Sequence, residues 1–237
     1  MKDDEIKLRS LAGEDAQIQF RENTDGTESR KIGGRFIVFN RETTLWDGVY
    51  YRQREMIANS ACTAEFVKTQ DIKLNLVHDR SLTMARNCKN DPQSTLTIEV
   101  REDGVYFECE LPKCDIGDRA LALVKNRTIT GCSFEFREGE CDRKETALDN
   151  NKRDILTTHK KFKQLSAITL AIDPAYSGTS VKEREAFQSE EEAAKESAEK
   201  AENEAREAKE KEEKQKREAQ AAERIAAIHR EMEIQNY

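Results

Sequence analysis

A serine near the middle of the chain lies in a context that could support nucleophilic chemistry. Residues 127–136 read R-T-I-T-G-C-S-F-E-F, in which the apolar Cys132, Phe134 and Phe136 alternate with other residues. This alternation is typical of a half-buried strand and points Ser133 away from the core. A hydroxyl just after a glycine, where another chain can approach closely, could attack a carbonyl group. Taken alone, however, the stretch is more often an ordinary strand with a surface serine.

A histidine at the end of another predicted strand could activate this serine. The stretch I-K-L-N-L-V at residues 72–77 has strand composition and runs directly into His78. A side chain at a strand end is held by a rigid element. A neutral imidazole can accept the proton of a serine hydroxyl and return it to a leaving amine. The alternative is a strand-end histidine whose ring is satisfied by local hydrogen bonds.

Composition predicts one globular domain with two appendages. Aromatic and β-branched residues lie mostly before Phe187, whereas the rest is almost wholly Glu, Lys, Ala, Arg and Gln. We therefore expect a polar N-terminal arm over residues 1–31, a globular domain over 32–182 and a charged helical tail over 183–237. The net charge of -7 argues against a nucleic-acid partner. Without a secretory signal or a long apolar run, we expect a soluble protein with no membrane contact.

The six cysteines do not have the spacing of a structural metal site. No C-x-x-C pair occurs among them, so the sequence predicts neither a metal nor another cofactor. A chain without an export signal is expected to keep its cysteines reduced.

The order of the predicted elements indicates an α+β fold that is mainly β. Residues 96–111 form the clearest hairpin, with an Asp-Gly turn, and a helix follows from Asp115 to Asn126. Residues 138–152 read as a polar loop, 155–159 as a short edge strand and 165–172 as a buried strand. This order predicts a closed or nearly closed antiparallel barrel.

Three segments resemble the prohead (capsid maturation) protease family of tailed bacteriophages, whose fold is similar to that of the herpesvirus assemblin proteases. They are L-N-L-V-H-D-R at residues 74–80, the run from Gly104 to Phe136 that ends in I-T-G-C-S-F-E-F, and L-S-A-I-T-L-A-I-D-P-A-Y at residues 165–176. Their order and spacing carry the match. The resemblance implies a herpesvirus-protease-like antiparallel β-barrel with flanking helices, followed by a long charged C-terminal helix.

The resemblance also implies roles for individual residues. Ser133 becomes the nucleophile and His78 the general base. The sequence departs from the family at Ala167, where many phage relatives carry an acid, so an acid-based triad is in doubt. His159 resembles the second histidine of the herpesvirus enzymes and is the expected third member, with Asp154 as the runner-up. A histidine in an exposed edge strand is the alternative for His159.

The implied function is a serine endopeptidase that acts in the host cytoplasm inside the immature phage prohead. Its expected substrates are the scaffold, the major capsid protein and the chain itself, and the resemblance admits a homodimer. The alternative is a catalytically inactive scaffolding or assembly protein that retains the protease fold, which Ala167 and the long tail favour.

The tail is predicted to be helical because it contains neither glycine nor proline after Val181. Glu and Lys recur at four-residue spacing, and alanines follow a 3-4 repeat. Alanine makes only a thin apolar seam. We therefore expect a solvated single helix first, and a coiled coil or a partner helix second.

Overall fold

A computed structural model of the chain describes residues 5–21, 29–89, 91–148, 152–171 and 181–235, with side chains of the last segment described over 185–220. The strands are β1 (Ile6–Leu11), β2 (Gln19–Arg21), β3 (Lys31–Val38), β4 (Glu42–Asp47), β5 (Tyr51–Ile57), β6 (Asp71–Leu76), β7 (Asp79–Cys88), β8 (Leu96–Arg101), β9 (Gly104–Glu110), β10 (Gly131–Glu138), β11 (Cys141–Ala147), β12 (Arg153–His159) and β13 (Phe162–Ala171). The α-helices are α1 (Gly13–Ala16), α2 (Ala64–Lys68), α3 (Asp115–Lys125) and α4 (Val181–Gln235), and a 3-10 turn covers Asn59–Ala61.

The strands form three sheets. A five-stranded sheet has the order β1-β10-β13-β6-β7, and two four-stranded sheets have the orders β11-β12-β5-β4 and β2-β3-β9-β8. Strands β13 and β6 pair in parallel, as do β12 and β5, while the other pairs are antiparallel. The mainly β fold with a C-terminal helix is therefore confirmed. The closed antiparallel barrel is not: over the described residues the sheets remain open and two of them are mixed.

The predicted hairpin and helix are present, but the predicted loop is partly a strand. Strands β8 and β9 pair through the turn at Glu102 and Asp103, and α3 covers the expected helix. Strand β11 occupies residues that were expected to be a loop and pairs with β12. All seven of its residues are exposed, so no hydrophobic pattern marks it in the sequence.

The expectation of a polar N-terminal arm is wrong for two segments. Strand β1 is an edge strand of the five-stranded sheet and pairs along its whole length with β10, and β2 pairs with β3. The physical reason is that Arg9, which looks like a solvent-facing residue, is only 6% exposed and pairs with the buried Glu55. Residues 1–4 and 22–28 of the expected arm lie outside the described residues.

Aromatic residues from different sheets form the centre of the core. The Phe36 ring lies 6.4 Å from that of Phe107 and 6.2 Å from that of Phe134. Phe136 packs against Phe162 with ring centroids 4.4 Å apart. Because Phe134 and Phe136 belong to β10, the strand that carries Ser133 is anchored in the core.

The tail helix packs on the domain through its first turns. Phe187 contacts Trp46 and Tyr51 at centroid distances of 6.3 Å, and Ala194 is 2% exposed. The Glu191 carboxylate accepts a hydrogen bond from the backbone N–H of Tyr50 at 2.8 Å. Residues 199–220 are exposed on all sides. None of the described helices combines the length and the apolar character needed to cross a bilayer.

Candidate active site

Ser133 lies on a central strand of the five-stranded sheet and is almost completely covered. Strand β10 runs between β1 and β13, so that Ser133 is directly opposite Ser10 on one side and Thr169 on the other. Its relative exposure is 1%. Ordered strands on both sides hold the Ser133 backbone in place.

A tight hairpin turn presents His78 to this serine. Strands β6 and β7 are joined by Val77 and His78 alone, with positive φ values of 46° and 60°. Such a two-residue turn normally uses Asn and Gly, and a β-branched residue in this region is strained, which is a feature of functional sites. The turn places His78 Nε2 at 3.3 Å from Ser133 Oγ.

This geometry fits proton transfer from the serine to the histidine. Burial lowers the pKa of His78 from its ordinary 6.5, and the nearby Glu135 carboxylate raises it by less. The ring is therefore neutral near pH 7, and Nε2 can accept the Ser133 proton when Nδ1 carries the ring hydrogen. The distance is at the long end for a hydrogen bond, as is common in enzymes without substrate.

A row of polar side chains crosses the sheet at the level of Ser133. Each residue of this row pairs with the next one across neighbouring strands, in the order Ser10, Ser133, Thr169, Asn75 and Thr83. Ser10 Oγ lies 2.8 Å from Ser133 Oγ, and Thr83 Oγ1 donates to Asn75 Oδ1 at 2.7 Å. Thr169 Oγ1 is buried and has no hydrogen-bond partner among the described residues. The serine thus belongs to a strip of polar side chains that crosses the five-stranded sheet.

The predicted third members lie elsewhere. His159 is fully buried, with Nε2 at 2.9 Å from Glu55 Oε2 and its ring edge against Phe136. Its Nδ1 lies 3.2 Å from Glu138 Oε2 without hydrogen-bond geometry. The alternative of an exposed edge strand is wrong, because β12 lies between β11 and β5.

Asp154 is also engaged away from the serine. Its carboxylate accepts hydrogen bonds from Arg52 and Arg54 at 2.6 to 3.0 Å, and the bond from Arg52 is the main reason why the pKa of Asp154 lies well below its ordinary range. The structure therefore brings together Ser133 and His78, but not His159 or Asp154.

A buried ion pair ties the edge strand β1 to a second sheet. Arg9 donates through Nε and Nη2 to the two carboxylate oxygens of Glu55, both at 2.7 Å. Burial acts to raise the pKa of Glu55, but Arg9 and His159 lower it more, so that it lies well below the ordinary 4.5. Since Ser10 directly follows Arg9, this pair also holds the hydroxyl that contacts the candidate nucleophile.

A groove of about 580 Å³ lies beside the polar strip. Asn75 and Thr83 belong to both, and Glu135 and Ala167 line the groove further along the strands. Glu135 follows Ser133 by two positions on β10, so the groove leads away from the serine along this strand.

The sequence analysis does not single out Ser10 or Glu135 as candidate site residues. Ser10 lies in a stretch that looks polar because Arg9 is there, although the I-K-L-R-S-L alternation does indicate a strand. Glu135 looks like an ordinary solvent-facing strand residue. Strand pairing, which the sequence does not reveal, places Ser10 opposite Ser133, and the ion pair with Arg80 that links Glu135 to the His78 segment is likewise a long-range contact.

Comparison with known proteins gives a family match over most of the chain. The model of the Caudovirus prohead serine protease family matches residues 16–196. No curated protein matches the chain. Among solved structures, the bacteriophage T4 capsid assembly protease aligns with 12% identity and a TM-score of 0.34, over 68% of this chain and 96% of that one. On the family match, the chain belongs to the Caudovirus prohead serine protease family.

Proposed function

We propose that the protein is a serine endopeptidase in which Ser133 is the nucleophile and His78 is the general base. The observation that carries this proposal is the 3.3 Å contact between Ser133 Oγ and His78 Nε2, which joins segments 55 residues apart in sequence. A neutral imidazole and a hydroxyl in this arrangement are the minimum that acyl transfer to serine requires.

The proposed reaction is acyl transfer in two stages. Ser133 Oγ attacks the peptide carbonyl carbon while its proton passes to His78 Nε2. The tetrahedral intermediate then loses the amine, which takes this proton, and leaves an acyl ester on Ser133. Water attacks the ester while His78 Nε2 accepts its proton, and the second tetrahedral intermediate then expels Ser133 Oγ, which takes this proton from His78 as the acid product is released.

Family membership supports a place for this activity inside the immature prohead. We propose the major capsid protein, the scaffold and the chain itself as substrates, and a herpesvirus-protease-like arrangement for the catalytic domain. The outer part of α4 is suited to contact other assembly proteins because its described side chains, at residues 199–220, are all exposed. A homodimer, and the absence of nucleic-acid and membrane partners, stay predictions.

The second candidate function is an inactive assembly protein that retains the fold. The specific observation in its favour is the 1% exposure of Ser133, since a substrate carbonyl can reach this hydroxyl only after neighbouring side chains move. In the protease hypothesis the same burial describes a resting state that substrate must open.

Incubation of the purified chain at high concentration distinguishes these functions. Mass spectrometry of the products should show fragments of the wild-type chain and none of a Ser133→Ala variant. Ser60→Ala is the matched control, because the exposed Ser60 hydroxyl donates to the Lys160 backbone carbonyl, away from the Ser133–His78 pair. Fragments that persist unchanged in Ser133→Ala contradict the proposed role of Ser133, and an intact wild-type chain in the presence of its capsid protein supports the assembly function.

A further inference from the structure

The His78 ring has one nitrogen for which the described residues provide no partner. A catalytic histidine needs a group that holds its ring in the correct tautomer and stabilises the imidazolium that forms during attack. Among the described residues, the one hydrogen bond of the His78 ring joins Nε2 to Ser133 Oγ, and Nδ1 has no partner. The two residues predicted for the orienting role, His159 and Asp154, bond to other groups.

Glu135 is an acid on the strand of the candidate nucleophile, and its charge acts on this histidine. It lies on the same strand as Ser133 and, by the alternation of side chains, on the same face. Its side chain is 14% exposed, and its charge acts on His78 and partly offsets the effect of burial on the pKa of that ring. Its partial shielding from water strengthens that interaction.

An ion pair already connects Glu135 to the segment that carries the histidine. Arg80 Nη2 donates to Glu135 Oε2 at 3.0 Å, and Arg80 follows His78 by two residues. The arginine side chain is 69% exposed, so this pair is weak and can exchange with water or with another donor. The Glu135 carboxylate is therefore not held firmly by Arg80, and its charge already acts on the His78 ring.

We infer that Glu135 is the positioning residue for His78, and that it acts from the nucleophile's own strand rather than from β12. This inference rests on the proposed function. Ala167 lies directly opposite Glu135 on β13, and its small side chain leaves the Glu135 carboxylate room on the groove side.

Several other charges share the groove with Glu135. Lys73 from β6, Arg86 from β7 and Arg137 from β10 line it together with Arg80. Lys73 and Arg86 both pair with Asp71. Glu135 is the one acid among the groove-lining residues. After its replacement, the charged residues that line the groove are all cations.

The test uses a fluorophosphonate probe, which reports on Ser133 without a known substrate. Ser133 Oγ forms a bond to phosphorus, fluoride leaves, and the hydroxyl proton passes to His78. The rate of adduct formation is measured against pH by intact-mass spectrometry. Glu135→Gln should lower the rate by about 10- to 1,000-fold and move its apparent pKa downward, because the imidazolium loses a nearby negative charge.

A second variant and two controls complete this test. Ala167→Glu in the Glu135→Gln background should restore at least about tenfold of the rate, because it returns an acid to the adjacent position on the neighbouring strand. Glu145→Gln removes an acid of similar size from the exposed strand β11 and should leave the rate unchanged. Circular dichroism confirms that each variant is folded.

The outcomes separate this inference from the proposed function. If Glu135→Gln reacts at the wild-type rate, or more slowly but with an unchanged pH profile, Glu135 does not position His78, while a labelled wild-type chain still supports the protease. If the wild-type chain forms no adduct, the proposed function fails and the inference fails with it.

Discussion

The hydroxyl oxygens of Ser10 and Ser133 lie 2.8 Å apart, closer than the 3.3 Å between Ser133 Oγ and His78 Nε2. When Ser133 donates its proton to the histidine, Ser10 must donate to Ser133, which occupies a lone pair of the nucleophile. The edge strand β1 therefore contacts the candidate nucleophile through the Ser10 hydroxyl. Ser10 itself has no role in the proposed reaction.

Ser10→Ala should react faster with a fluorophosphonate than the wild-type chain. A hydrogen bond donated by Ser10 makes Ser133 Oγ less nucleophilic, and a neutral hydrogen bond contributes about 0.5–1.5 kcal/mol, so the expected gain is at most about tenfold. Ser10→Thr retains a hydroxyl and is the matched control. A slower reaction in Ser10→Ala would show instead that the contact assists attack by orienting Ser133.

The labelling rate of the wild-type chain should rise with pH and level off below neutrality. Burial lowers the pKa of His78 from 6.5, so protonation removes the general base only in acid. The pseudo-first-order rate of labelling is measured between about pH 4.5 and 8, a range that spans the ordinary histidine pKa. A midpoint above pH 7 contradicts the assigned environment of His78.

Replacement of Glu55 should destabilise the fold strongly. Glu55→Gln removes the carboxylate that accepts two hydrogen bonds from the buried Arg9 guanidinium, and the loss of one partner of a buried ion pair costs about 3–5 kcal/mol. Urea unfolding measures the change in the free energy of unfolding. Glu145→Gln, which breaks an exposed pair with Arg153, should cost less than about 1 kcal/mol and serves as the control. Equal effects of the two substitutions would contradict the structural role of the Arg9–Glu55 pair.

The Arg9–Glu55 pair also predicts how the free energy of unfolding depends on pH. Because the pKa of Glu55 is lower in the folded than in the unfolded chain, the unfolded chain binds more protons below about pH 4.5. The stabilisation from this carboxylate is therefore fully present above that pH and decreases as the pH falls. The wild-type chain should lose stability more steeply than Glu55→Gln between about pH 4.5 and 3, as followed by thermal unfolding.

The outer part of the tail should be dispensable for the stability of the domain. Removal of residues 199–237 deletes a segment whose described side chains, through residue 220, are exposed, so the free energy of unfolding should change by less than about 0.5 kcal/mol. Phe187→Ala should instead cost about 1–2 kcal/mol, because its ring packs on Trp46 and Tyr51. A destabilised truncation would indicate a further docking site for the helix.

The sequence suggests the two residues that lie in contact at the candidate site but misses their surroundings. Ser133 and His78 are suggested because each lies in or next to a recognisable strand pattern and in a family-like motif, and their catalytic roles stay predictions. Strand β1 is missed because Arg9 is buried through a partner 46 residues away, which local hydrophobicity cannot reveal. The Pro-Ala-Tyr end of the third motif, at residues 174–176, lies outside the described residues.

The misplacement of His159 has a similar cause. The run Thr-Thr-His-Lys-Lys reads as exposed, yet His159 is buried because Glu55 and Glu138 surround its ring. Long-range pairing decides both cases, as it does for the parallel pairs β13·β6 and β12·β5. The helical tail, by contrast, follows from composition alone and is confirmed as α4.

Peptide mass spectrometry of the chain after reaction with a fluorophosphonate locates the nucleophile. We expect one adduct per chain, on the peptide that contains Ser133, and a labelling rate that is reduced by about 100- to 10,000-fold in His78→Gln. An adduct on another residue, or an unchanged rate in His78→Gln, contradicts the proposed roles of Ser133 and His78.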